Sequence, residues 1–141
     1  MLFHGKWYDE VKVGERFGTS LTVTETHIVL GAGMFGDFNP LHTDENFATT
    51  VAGYGSTIAH GMLTMGMTGH LVTDLVGDGR LASFGGRFVG VVRPGDTLTA
   101  HATIVGVDVD EDASVIELSL ATNNQHGDDV FVGYATARVS S

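Results

Sequence analysis

The sequence predicts an α+β fold, one antiparallel sheet curled around one long helix, in a single domain over residues 1–141. Three observations carry this. Apolar and polar side chains alternate over residues 98–104, 116–120 and 131–139, the period of half-buried strands. One apolar stretch, residues 58–76, is long enough for a helix covered by other structure. Finally, 141 residues of which 43% are hydrophobic supply one compact core without disulfide or metal staples.

Taken in order, residues 15–23 are rich in strand formers. Thr24 then reads as the N-cap of a helix from Glu25 to about Phe35, although Gly31 and Gly33 each cost it about 1 kcal/mol relative to Ala. A loop with Asp37, Asn39 and Pro40 follows, and residues 44–48 suit one or two helical turns. The main helix is expected from Ser56 or Thr57 to about Leu75, apolar almost all round and therefore enclosed. Its Met62, Leu63, Met65 and Met67 suit an irregular cavity wall. After the turn Gly77-Asp78-Gly79, residues 81–92 form a strand or bent pair, with Gly85-Gly86 as a bulge or bend. Turn composition at 108–113 and 123–129 makes hairpins of the three alternating strands.

Seventeen Asp and Glu stand against seven Lys and Arg, a formal charge of −10, and Lys6 and Lys12 are the only lysines. Phosphate contacts need clustered basic residues, so neither nucleic acid nor an anionic membrane surface is expected as a partner. Such acidity suits a high-salt environment or ordinary solubility, since net charge speaks to solvent rather than to fold. The absence of cysteine removes disulfides, thiolate catalysis and cysteine-bound zinc, and fits a reducing compartment. The first ten residues carry no apolar run of a secretory signal, and the 58–76 stretch contains His60, His70 and Asp74. It reads as a buried helix rather than a membrane span, and a cytoplasmic location is expected.

Two segments present chemistry. Gly36-Asp37-Phe38-Asn39-Pro40-Leu41-His42 places a carboxylate and an imidazole five positions apart on one loop. Pro40 fixes its own φ and pushes Asn39 toward extended backbone, the stiffness needed to hold two titratable groups around one water molecule. The same residues also read as a helix stop and an Asx turn, with His42 incidental. In Ile58-Ala59-His60-Gly61-Met62-Leu63 the first N–H groups of a helix lack partners, and Gly61 lets a ligand oxygen approach. The alternative is that Gly61 merely fits a tight neighbour, and that His60 is buried against a backbone carbonyl. The histidines at 42, 60, 70, 101 and 126 show no ligand spacing of the HExxH kind, so no metal is expected. Neither a GxSxG elbow nor a Rossmann or P-loop glycine pattern occurs.

At these residues the chain resembles the MaoC-like, (R)-specific enoyl-CoA hydratase family. The resemblance rests on residues 36–42 with Ala48 six positions on, on Ala59-His60-Gly61-Met62-Leu63, and on Arg93-Pro94-Gly95-Asp96-Thr97-Leu98. Lys6-Trp7-Tyr8-Asp9-Glu10 and Val13-Gly14-Glu15 are similar to the usual start, so about residues 6 to 105 are covered. The resemblance implies a hot-dog fold, the sheet wrapped round the long helix, and a homodimer or higher homo-oligomer with sites near the interface. It implies reversible syn hydration of a trans-2-enoyl-CoA to an (R)-3-hydroxyacyl-CoA, with no cofactor beyond the CoA thioester substrate. Asp37 and His42 match the catalytic pair and the Gly61 N–H the oxyanion donor, while Asn39 contacts substrate or orients the loop. Arg87 and Arg93 stand where contacts to CoA are expected. The chain departs from the family pattern in having Ser56-Thr57 before Ala-His-Gly and Val91 in place of Pro. It also has Gly69 where some members carry a hydroxyl, with Thr64 and Thr68 as the candidate substitutes. A carrier-protein dehydratase, a thioesterase on the same fold and a non-catalytic acyl-thioester binder are the alternatives.

Overall fold

The computed structural model describes residues 2–3, 6–7, 11–109 and 114–139. Strands β1 (Leu2–Phe3) and β2 (Lys6–Trp7) pair with each other. Strand β3 (Arg16–Thr22) leads to helix α1 (Glu25–Phe35), and after two short turns comes helix α2 (Gly61–Val76). Strands β4 (Leu81–Phe88), β5 (Thr97–Asp108), β6 (Ser114–Asn123) and β7 (Asp129–Val139) follow. The five long strands form one antiparallel sheet in the order β3-β5-β6-β7-β4, and α2 lies on its inner face. This is the α+β arrangement the alternation predicts. The hairpin expected at 108–113 falls largely on residues outside those described, whereas the 123–129 turn is present, closed by Asn124 and Gly127 N–H bonds.

Alternation decides which side chains make the core. Leu98, Ala100, Ala102 and Ile104 of β5 are buried, as are Ile116, Leu118 and Leu120 of β6 and Ala135, Ala137 and Val139 of β7. They receive Leu71, Val72, Leu75 and Val76 of α2. Burying each such side chain contributes about 1.5–3 kcal/mol. A second cluster of Val23, Ile28, Ala59, Val92, Leu98 and Val130 lies under the start of α2.

Three expectations are corrected. Helix α2 starts at Gly61, not at Ser56 or Thr57, because residues 57–60 lie outside the helix, His60 with extended backbone, tied by Ile58 N–H to Leu41 O and Ala59 N–H to Val92 O. The helix is also not enclosed all round. Thr64, Thr68, Leu71, Val72, Leu75 and Val76 face the sheet, while Met62, Gly66, His70 and Asp74 are exposed on the other side. Lastly, Gly85 and Gly86 stay in register with Tyr134 and Gly133, and the irregularity of β4 falls between Leu81 and Ser83. Gly86 is required by close approach instead, since a Cβ there would lie 2.5 Å from the Phe131 ring.

Candidate active site

The site is built where α1 ends. Thr24 caps α1 as predicted, and its side chain and that of His27 bond reciprocally to each other's backbone N–H. Gly36 closes the helix with φ 68° and ψ 21°, a left-handed conformation that suits glycine. The chain then turns sharply. Asp37 Oδ1 accepts from Asn39 N–H at 3.3 Å, and Asn39 Oδ1 accepts from Leu41 N–H at 3.1 Å, opening a 3-10 turn at Pro40–His42. Asn39 therefore shapes the loop with its side-chain carbonyl oxygen.

These turns bring Asp37 and His42 together. His42 Nε2 lies 3.5 Å from Asp37 Oδ2, with the His42 side chain only 9% exposed and that of Asp37 51%. His42 Nδ1 lies 2.7 Å from the Ile58 carbonyl oxygen, which only accepts, so Nδ1 carries the ring proton. In the neutral ring this leaves a lone pair on Nε2 facing the carboxylate. Two acceptors 3.5 Å apart make no direct bond; they frame a position for a group that donates to both, such as water.

His60 completes the cluster. Its ring stacks on His42 with centroids 3.7 Å apart, and Phe35 meets it edge-on at 5.6 Å. His60 Nε2 donates to the Asp37 carbonyl oxygen at 3.0 Å, the backbone-satisfied arrangement considered above. The next residue, Gly61, opens α2, so its N–H has no acceptor within the helix. The Phe88 ring covers it so closely that a Cβ would sit 3.0 Å away. Asp37, His42 and His60 each offer a ligand atom within 4.8 Å of the others. Each ring uses one nitrogen on a backbone carbonyl oxygen, His42 on that of Ile58 and His60 on that of Asp37.

An apolar groove of about 500 Å³ adjoins the cluster, running between β3, α1 and α2. Gly31 and Phe35 border both groove and His60, and Leu30, Met34, Met62 and Met67 extend the wall. Of the four side chains expected to form a cavity wall, Met62, Leu63 and Met67 do line the groove, whereas Met65 does not. The part of the wall that α1 supplies has no signature in the sequence, because exposed apolar residues on a helix do not by themselves mark a ligand wall. Thr68 supplies no hydroxyl to the site: it is fully buried and bonded to Thr64 O and Thr122 Oγ1. Phe84 fills the space beside Gly69, within 3.0 Å of where a Cβ would stand.

The two arginines part company. Arg93 begins a turn in which Asp96 Oδ2 accepts its backbone N–H, and the preceding Val92 accepts from Ala59 N–H, beside the strip leading to Gly61. Arg87 borders a depression with Ser119 and Tyr134 on the outer face of the sheet, whereas the adjacent Phe88 points inward over Gly61.

Residues 10–125 match the MaoC like domain. An (R)-specific enoyl-CoA hydratase of Rhodospirillum rubrum is 36% identical over 103 residues, 72% of this chain and 71% of that one. A 3-hydroxyacyl-thioester dehydratase Y of Mycobacterium tuberculosis is 42% identical over 67 residues; the match spans 45% of this chain and 23% of that longer protein. Among solved structures, an (R)-hydratase from A. caviae involved in PHA biosynthesis superposes with a TM-score of 0.83 at 27% identity, covering 93% of this chain and 98% of that one.

Proposed function

We propose that this chain, which belongs to the MaoC-like domain family, is an (R)-specific enoyl-CoA hydratase. It adds water reversibly and syn across a trans-2-enoyl-CoA to form an (R)-3-hydroxyacyl-CoA. The observation that carries this reading is the 3.5 Å gap between Asp37 Oδ2 and the bare Nε2 of His42, one stacked ring away from the start of α2.

In this reading the substrate water donates to both acceptors and its oxygen attacks C3. One proton of that water passes to the Asp37/His42 pair, C2 gains a proton from the pair, and the hydroxyl stays on C3. Hydroxyl and hydrogen arrive from the same side because one cluster handles both. Negative charge that develops on the thioester oxygen meets the Gly61 N–H at the positive end of α2. Acid–base groups of this kind contribute typically 10²–10⁴-fold, and loss of one oxyanion donor costs roughly 10²–10³ in other enzymes. The acyl chain takes the groove between α1 and α2. No metal or redox group takes part.

A second copy of the chain covers the groove side. Leu30 is 64% exposed and Met34 80%, more apolar surface than a solitary helix of a stable monomer usually leaves open. Among the described residues no helix is long and apolar enough to cross a membrane.

The test is turnover of crotonyl-CoA followed by loss of enoyl absorbance, with Asp37→Asn and His42→Ala beside the parent chain. Hydration lost in both folded variants supports the reading, and full activity in both overturns it. Free thiol release would mark a thioesterase, preference for a carrier-protein thioester the dehydratase, and enoyl-CoA binding without turnover a binding subunit.

A further inference from the structure

We infer that His60 is a positioning residue, and that the strip Ile58–Gly61 is the template that sets the acid–base pair against the oxyanion donor. This rests on the hydratase reading. His60 occupies the N-cap of α2, where Ser, Thr, Asp or Asn would bond the helix's own N–H groups and contribute about 0.5–2 kcal/mol. Its side chain makes no such bond. It turns away from its helix and reaches 23 residues back, where Nε2 donates to the Asp37 carbonyl oxygen.

The same strip holds the other members. The Ile58 carbonyl oxygen accepts from His42 Nδ1–H and so turns Nε2 toward Asp37, and Ile58 N–H donates to Leu41 O. Four consecutive residues thus fix the Asp37 backbone, the tautomer and aim of His42, and the N–H of Gly61. His60 is 3% exposed, and its Nδ1 is buried without a hydrogen-bond partner. The ring is held for what Nε2–H and its π face do. The stack with His42 stops that ring from swinging about its Cβ, while the bond to Asp37 O stops the loop from drifting. A displacement of about 1 Å in such a constellation costs roughly 10²-fold in rate.

Two substitutions separate this role from bulk packing. In His60→Gln the amide nitrogen reaches the place of Nε2 and keeps the donor. In His60→Phe the ring and its stack remain and the donor is lost. With crotonyl-CoA, His60→Phe is expected to lower kcat about 100-fold with KM within about threefold of the parent, and His60→Gln to recover to within about tenfold. Equal kcat in the two variants, or an unchanged kcat in His60→Phe, overturns the role. Should His60→Phe fail to fold, His60→Asn, whose shorter amide reaches only the place of Nδ1, takes its place with the same expectation. A further readout is independent of turnover: nitrogen NMR of the parent protein at pH 8 should find the ring proton of His60 on Nε2 and that of His42 on Nδ1. A His60 proton on Nδ1 overturns the inference even if crotonyl-CoA is hydrated; inactivity of the parent with the expected tautomers overturns the hydratase reading alone.

Discussion

The ring of Phe88 lies over Gly61 so closely that an added methyl group would have to push it aside by a few tenths of an ångström: a Cβ would stand 3.0 Å from two of its carbons. Glycine at the first position of α2 is thereby explained by packing as well as by access. The Gly61→Ala variant should lose about 1–3 kcal/mol of stability through overpacking and, as the helix start shifts, roughly 10²-fold in kcat. Thermal melts and crotonyl-CoA kinetics check both. The double variant Gly61→Ala/Phe88→Ala should regain part of the melting temperature; no recovery would contradict the packing account.

Substituting either member of the acid–base pair should lower kcat by about 10²–10⁴ with circular dichroism unchanged. Asp37→Asn keeps the side-chain oxygen that accepts from Asn39 N–H, so the loop survives and the loss is chemical. A drop confined to KM would place Asp37 in binding rather than in proton transfer.

Gly66 sits on the exposed face of α2 along the groove, with nothing within 4 Å of an added Cβ. Gly66→Leu should therefore stabilise the helix by up to about 1 kcal/mol while projecting into the acyl path. The kcat/KM ratio for octenoyl-CoA over crotonyl-CoA is expected to fall at least about tenfold. Equal effects on both substrates would mean that the chain lies elsewhere.

Arg93 and Arg87 provide a paired test of how an acidic protein holds an anionic ligand. Arg93 flanks the strip that leads into Gly61, and Arg87 lies on the outer face of the sheet. Arg93→Glu should raise KM for crotonyl-CoA by about tenfold, more than Arg87→Glu does, with kcat changed less. Titration of KM against salt distinguishes lost charge from lost structure. The reverse order would assign the CoA contact to Arg87.

His101 makes stability depend on pH. Burial on the outer face of β5 lowers its pKa, and the Arg16 guanidinium lowers it further. The unfolded chain takes up a proton near the ordinary histidine pKa of about 6.5, and the folded ring does so only at lower pH. Stability carried by this group is complete above that value and is lost as pH falls through the folded pKa. Melting temperatures between pH 8 and 5 should fall less in His101→Gln than in the parent.

Periodicity made most of the fold legible. The alternation over 98–104 names the buried face of β5 residue by residue, and Thr24 marks the start of α1 because capping is a local interaction. The start of α2 was not legible, since Ser56 and Thr57 are better caps by composition than His60. What holds residues 57–60 out of the helix are bonds to Leu41, Val92 and Asp37, none of them near in sequence. Likewise, Gly85-Gly86 looks like a bend until Phe131 and Gly133 from β7 are seen beneath Gly86. For the site, the spacing of Asp37 and His42 leaves a helix stop with an Asx turn open, and the family resemblance singles out the pair. The stack with His60 and the groove wall from α1 arise only from tertiary packing.

The most direct test of the central claim is the chirality of the product formed from crotonyl-CoA and water by the parent chain and by Asp37→Asn. The account predicts (R)-3-hydroxybutyryl-CoA from the parent and a loss of at least about 100-fold in Asp37→Asn. An (S) product, or hydration that survives the loss of the carboxylate, would contradict it.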